Sequence, residues 1–318
     1  MKRLLLMLLG IGLVIAGCGE GDVSDSSVVI TVEDPEAVNP VDLVLSAVEQ
    51  TETLQSFRAD YVLKITGMPF IGDIVQPITI VQAANGDNSI EFDLSEATID
   101  GEAPPPDLVE YVFEMRQVGD LLYITMPEEE MGKFANTPWV SIAKDQVTED
   151  ELDYFESFDP KEQLNYLLGV DKDATISLGE KVEGVTATRI RGVSTFGQML
   201  AALDAEEQQE MIDSIASDLT SQSANSDEVL SSFETLEFEF DVWISEEGYV
   251  LHEIVVIRNL YEVIETIDPT VREMREVFED LEMSLEIRYF DHGALINITA
   301  PPPEDVTPYT GSLDELLS

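Results

Sequence analysis

Apolar and polar residues alternate one by one through much of this chain. From Phe57 to Thr66, Phe57, Ala59, Tyr61, Leu63 and Ile65 fall on one side, with Arg58, Asp60, Lys64 and Thr66 on the other. A period of two predicts a strand with one face buried and one in water. The same reading predicts strands carrying Ile78 and Ile80, then Ile90, Phe92 and Leu94, then Val109, Tyr111, Phe113 and Met115. A turn at Val118-Gly119-Asp120 leads into Leu121, Tyr123 and Thr125, and Trp139 to Ile142 is a short strand or edge. Strands are expected at 173–180 and 185–193. The strongest alternation puts Leu236, Phe238, Phe240, Val242 and Ile244 inward and Glu237, Glu239 and Asp241 outward. Glu246-Glu247-Gly248 turns the chain into a strand over 249–258, and Met283, Leu285, Ile287 and Tyr289 form the last one-sided strand.

The period lengthens in a few blocks. Asn39 and Pro40 supply a cap and a first helical residue, and Val41, Val44, Leu45 and Val48 then recur at helical spacing to about Leu54. Asp159-Pro160 opens a short helix over 159–168; 196–234 reads as a helical block, and 268–280 as an amphipathic helix. Pro104-Pro105-Pro106 interrupts the strands, and Pro301-Pro302-Pro303 is expected to end the fold before a polar tail over 304–318. Hairpins, a helical block and hairpins again predict an α+β chain: a single curved antiparallel sheet, in one domain over 39–303.

Charge changes the picture more than composition does. Sixteen Lys and Arg oppose 65 Asp and Glu, a net charge of −49. That excludes a nucleic-acid partner, which needs a basic surface, and disfavours docking on anionic lipid. It keeps the chain soluble and strains its compact state by self-repulsion.

Residues 1–17 read as a secretory leader: Lys2 and Arg3, an apolar run from Leu4 to Ala16, then Gly17. Ile15-Ala16-Gly17-Cys18 resembles the bacterial lipobox, and Cys18 is the one cysteine of the chain. The resemblance implies diacylglyceryl transfer to the Cys18 thiol and cleavage before it. The expected location is then the extracytoplasmic face of a bacterial membrane, with the protein held by lipid. Residues 18–38 are small, acidic and polar, as a flexible tether would be.

Candidate chemistry is sparse. No disulfide or thiolate zinc cluster is available to one cysteine, and His252 and His292 are too few for a three-histidine metal site. Glu128-Glu129-Glu130 and Asp150-Glu151-Asp153 read as solvated charge. Asp171-Lys172-Asp173 begins like a calcium loop but has Ile176 where that loop needs glycine. His252 reads as a surface or edge side chain. No enzyme, cofactor or metal is expected.

The order of motifs resembles the mycobacterial LppX/LprG-type lipoproteins across roughly residues 40–302. The helix with Ala47-Val48-Glu49-Gln50-Thr51 runs into Ser56-Phe57-Arg58-Ala59. Gly67-Met68-Pro69, Gly119-Asp120-Leu121-Leu122-Tyr123, Trp139, Glu183-Gly184-Val185 to Arg189-Ile190, and Ile298-Thr299-Ala300-Pro301 follow. The resemblance implies a LolA-like half-barrel of antiparallel strands wrapped around helices, with an apolar cavity for acyl chains. The cavity would then be lined by Leu63, Ile65, Ile80, Phe92, Tyr111, Phe113, Tyr123, Phe238, Phe240, Leu285 and Ile287. The implied partners are a lipid or other acyl-chain ligand and the membrane reached through the acylated N-terminus. The same apolar faces would equally serve a filled core in an envelope scaffold or accessory protein, and periodicity does not separate the two. The chain departs from the resemblance in its long block 196–234, an inserted 261–280, and its acidity.

Overall fold

The computed structural model describes residues 39–68, 72–93, 97–103, 114–126, 135–147, 162–203, 226–267, 269–278 and 280–311, with isolated positions at 205, 208, 209, 211, 212 and 316. Cys18 and the tether, Pro104–Pro106, Tyr111, Phe113, the acidic runs at 128–130 and 150–153, the Asp159-Pro160 cap and most of 204–225 lie outside the described residues.

The helices are α1 (Pro40–Glu52), α2 (Phe196–Ala202), α3 (Ser226–Phe233), α4 (Leu260–Ile267) and α5 (Arg275–Phe278). The strands are β1 (Phe57–Thr66), β2 (Ile74–Gln82), β3 (Asn88–Phe92), β4 (Thr98–Ile99), β5 (Glu114–Val118), β6 (Leu121–Thr125) and β7 (Trp139–Ala143), then β8 (Thr175–Val182), β9 (Val185–Thr195), β10 (Glu237–Ser245), β11 (Val250–Arg258), β12 (Glu282–Phe290) and β13 (Val306–Pro308). Hydrogen bonding follows the order β13-β7-β6-β5-β3-β2-β1-β12-β11-β10-β9-β8, with β4 on β2. The α+β class expected from the pattern is the one found.

The chain packs as two compact units. Unit 1 takes the chain up to Thr53, Lys64–Gly72 and Ser157–Ile287; unit 2 takes Leu54–Leu63, Asp73–Glu156 and the chain from Arg288 on.

In unit 1, α1 starts where the sequence places it. The Asn39 side chain accepts a hydrogen bond from the Val41 amide at 3.2 Å, and Pro40 is the first helical residue. Leu43, Val44, Ala47 and Val48 are buried, whereas Leu45 faces outward. The helix ends against β11: the Thr51 hydroxyl donates to the Ala47 carbonyl and accepts from the Val250 amide at 3.0 Å. β8 and β9 are joined at Glu183-Gly184, both with positive φ, as a two-residue hairpin requires. α2 opens with a capping box between Thr195 and Gln198. The amphipathic segment differs from expectation. It begins earlier, as α4, and continues as a 3-10 turn (Pro269–Met274) into the single turn α5. Leu260, Val263 and Ile264 supply its buried stripe, while Pro269 interrupts the α-helical hydrogen bonding.

In unit 2 the pairs β2–β3, β3–β5, β5–β6 and β6–β7 are antiparallel. The three prolines at 301–303 do not end the fold. Val306–Pro308 run parallel to Trp139–Ser141 as β13, an exception to the antiparallel expectation. Val306 and Thr307 are β-branched, the Thr307 hydroxyl meets that of Thr137 at 2.6 Å, and Pro308 is tolerated in a strand paired on one side.

Candidate functional site

The residues expected to line a cavity fall into two sets. Unit 1 holds Ile65, Phe238, Phe240, Leu285 and Ile287, and unit 2 holds Leu63, Ile80, Phe92 and Tyr123. Ile65, Phe238, Phe240, Ile287, Ile80 and Tyr123 are buried; Leu63, Phe92 and Leu285 are half-buried.

The unit 2 register corrects one of these placements. Residues directly opposite in antiparallel strands share a face. Ile80 lies opposite Ile90, Ile90 opposite Met115, Met115 opposite Ile124, and Ile124 opposite Val140. Tyr123 lies opposite Arg116 and Ser141, so it occupies the other face from Ile80 and Phe92. In the short strand β6 the buried run Leu122, Tyr123, Ile124 has no alternation from which a face can be read.

The unit 1 sheet carries more chemistry. Three rows cross β9, β10 and β11 on its apolar face: Ser194–Phe238–Ile257, Gly192–Phe240–Val255 and Ile190–Val242–Glu253. Gly192 is needed in its row, since a Cβ there would stand 2.8 Å from the tip of the Phe240 ring. Glu253 is fully buried, on the same side of β11 as Leu251, Val255 and Ile257. The 3-10 helix Glu162–Gly169 sends Tyr166 to it. The Tyr166 hydroxyl donates to Glu253 Oε2 at 2.9 Å, and its ring packs 6.1 Å from Phe238 and 6.0 Å from Phe240. The Ser194 hydroxyl donates to the Tyr166 carbonyl at 2.9 Å. Burial first, then the charge and hydrogen bond of Glu253, push the Tyr166 hydroxyl well above its ordinary pKa. Sequence reading passed over Glu253, although a carboxylate in the register of Leu251, Val255 and Ile257 was a visible break in the pattern.

The outer face of the same strands is a polar network. Arg189, Trp243 and His252 are cross-strand partners in one row. His252 stacks on Trp243 with centroids 4.5 Å apart, and the Arg189 guanidinium lies 5.0 Å from the Trp243 ring. Glu180 accepts the Trp243 indole N–H at 2.7 Å, and Glu286 stands 3.0 Å from His252 Nε2. Asp241 accepts from Arg189 at 2.7 Å and from Arg191 at 2.8 Å. Burial raises the Asp241 carboxyl, yet the two guanidiniums outweigh it and hold the pKa below the ordinary value. At Asp171-Lys172-Asp173, Asp171 caps a turn by accepting from the amides of Asp173 and Ala174.

No family model matches the chain, and no curated protein matches it. Solved structures do. The lipoprotein LppX of Mycobacterium tuberculosis is 11% identical, with 81% of this chain and 97% of that one covered, at a TM-score of 0.37. LprF from Mycobacterium bovis is 12% identical, with 85% and 98% covered, at 0.38. A LolA-superfamily protein from Nitrosomonas europaea is 9% identical, with 83% and 96% covered, at 0.25.

Proposed function

We propose that this protein is a lipoprotein, anchored through Cys18 on the extracytoplasmic face of a bacterial membrane, which binds or transfers a lipid or other acyl-chain ligand without enzymatic chemistry. The observation that carries the reading is the cover of the unit 1 apolar face. There, Phe238 and Phe240 are met by one aromatic ring from a short 3-10 helix. Such helices have poorer hydrogen-bond geometry than α-helices. An acyl chain that took the place of the ring would leave water at about 0.8 kcal/mol per buried methylene. The tether 18–38 supplies reach, and its charge keeps the folded part off the lipid surface.

A second reading, an envelope scaffold or accessory protein with a packed core, is favoured by the complete burial of Phe238, Val242, Ile190 and Ile287. Native mass spectrometry of protein purified from its own host separates the two. A co-purifying lipid of defined mass supports the carrier, and a clean protein mass supports the scaffold. Anchoring is tested by Cys18→Ser, which is expected to leave an unprocessed precursor or release the protein from membranes. A mature, membrane-bound Cys18→Ser protein would overturn it.

A further inference from the structure

We propose that the segment 294–300 is a docking strand, and that its partner is an extended segment of another protein, apolar or β-branched at alternate positions and basic at its flanks. The inference does not depend on lipid binding.

Between β12 and β13 the chain of unit 2 is extended over 294–300. Exposure has a period of two there: Leu295, Asn297 and Thr299 face solvent, and Ala294, Ile296 and Ile298 are half-buried. Both ends are fastened within unit 2. The Gly293 amide donates to the Ser56 carbonyl at 2.9 Å, the Ser56 hydroxyl donates to the Ala294 carbonyl at 2.8 Å, and Arg116 donates to the Thr299 carbonyl at 3.1 Å. The Arg116 guanidinium is itself held over the Trp139 ring at 4.9 Å. Between these points no hydrogen bond from the described residues reaches the main chain of 295–298.

Such a row of main-chain donors and acceptors is what an incoming strand pairs with. The two end strands of the sheet carry devices against that. β8 has a bulge at Gly179, where φ is positive, and Lys181; β13 has Pro308. The segment 294–300 has no lysine or proline. Its Ile296, Ile298 and Thr299 are β-branched, and Leu295 is fully exposed. An undefended apolar strand invites association, and a dedicated partner accounts for its being left bare.

Charge selects that partner. Residues 292–303 include no acid, in a chain that has 65. Asp291 stands at one end of this stretch and Glu304 and Asp305 at the other, and the chain has a net charge of −49. A second copy brings the same acids to the same ends and is repelled. A strand with lysine or arginine at its flanks is attracted.

The test uses the full chain and a labelled synthetic peptide of alternating valine and threonine with paired lysines at each end. Binding is read by fluorescence anisotropy and placed by amide hydrogen exchange. The peptide is expected to bind and to protect the amides of 295–298, which exchange freely without it. Replacing its lysines by glutamates, or its core by glycine and serine, should weaken binding by ~10-fold. Leu295→Pro with Ile296→Pro removes one amide from each edge of the strand. It should weaken binding by ~10-fold and keep the cooperative melt, since neither amide has a partner to lose. If that variant fails to fold, the exchange data decide alone. No binding, protection that omits 295–298, unchanged affinity in the folded proline variant, or equal binding of either control peptide overturns the proposal. So does concentration-dependent dimerisation that protects 295–298 without peptide, which assigns the strand to a second copy.

Discussion

The apolar face of unit 2 and that of unit 1 are built by the same alternation and differ in the polar side chains they bury. In unit 2 the row Ile80–Ile90–Met115–Ile124–Val140 crosses five strands without a polar atom in its side chains other than a thioether. In unit 1 the row Ile190–Val242–Glu253 ends on a fully buried carboxylate served by a tyrosine from a separate element. A filled core has no use for a carboxylate, because burying one costs free energy even when it is paired. The unit 2 row is therefore plain core, whereas the unit 1 face carries a buried polar pair within its apolar packing.

The comparison breaks most sharply at Ile90. Ile90→Asp places a charge in a row with no partner, and a loss of about 4 kcal/mol or more, with the cooperative melt abolished, is expected. A near-native denaturation curve for this variant would mean that water reaches the unit 2 face and that this row is not core.

Gly192→Val probes the fit on the unit 1 face. Its Cβ would meet the Phe240 ring at 2.8 Å and the Ala174 side chain at 3.1 Å. Displacing that ring should lower stability by about 1–3 kcal/mol, read as a shift in denaturant midpoint at constant slope. An unchanged midpoint would show that Phe240 is free to move without Tyr166.

Tyr166→Phe should cost about 1–3 kcal/mol near neutral pH, as expected for a hydrogen bond to a charged acceptor. The pH dependence gives its sign. The hydroxyl pKa is raised in the folded state, so its contribution is complete below the unfolded value, near 10, and is lost as pH rises toward the folded value. Wild type should lose stability between about pH 9.5 and 11 more steeply than Tyr166→Phe. Parallel curves would remove the phenol from the account.

The smallest effect is expected on the outer face. Arg191 is more than half exposed, so Arg191→Ala should cost no more than about 1 kcal/mol. Asp241 is held below its ordinary pKa. Its contribution is present above the unfolded carboxylate value, near 3.9, and fades as pH falls through the lower folded value. Unfolding followed from pH 5 to 2 should lose this component in Asp241→Asn, and identical acid curves would assign the cluster no electrostatic role.

Long, regular strands were legible because their buried partners recur at every second position. β1, β10 and β12 came out with the expected faces, and Asn39-Pro40 began its helix where capping chemistry puts it. Tyr123 was misplaced because β6 has five residues and three consecutive buried ones, so only pairing with Arg116 and Ser141 reveals its face. β13 was missed because three residues after a proline run carry no period.

The sequence by itself determined the one-sided strands, the charge of −49 and the start of α1, since these depend on neighbours along the chain or on composition. Tertiary structure decided the site. Residue 166 and residue 253 are 87 positions apart, and no local period links a tyrosine in a 3-10 helix to a carboxylate in a strand. Their hydrogen bond exists because packing brings Tyr166 onto Phe238 and Phe240, and because a carboxylate buried there must find a donor.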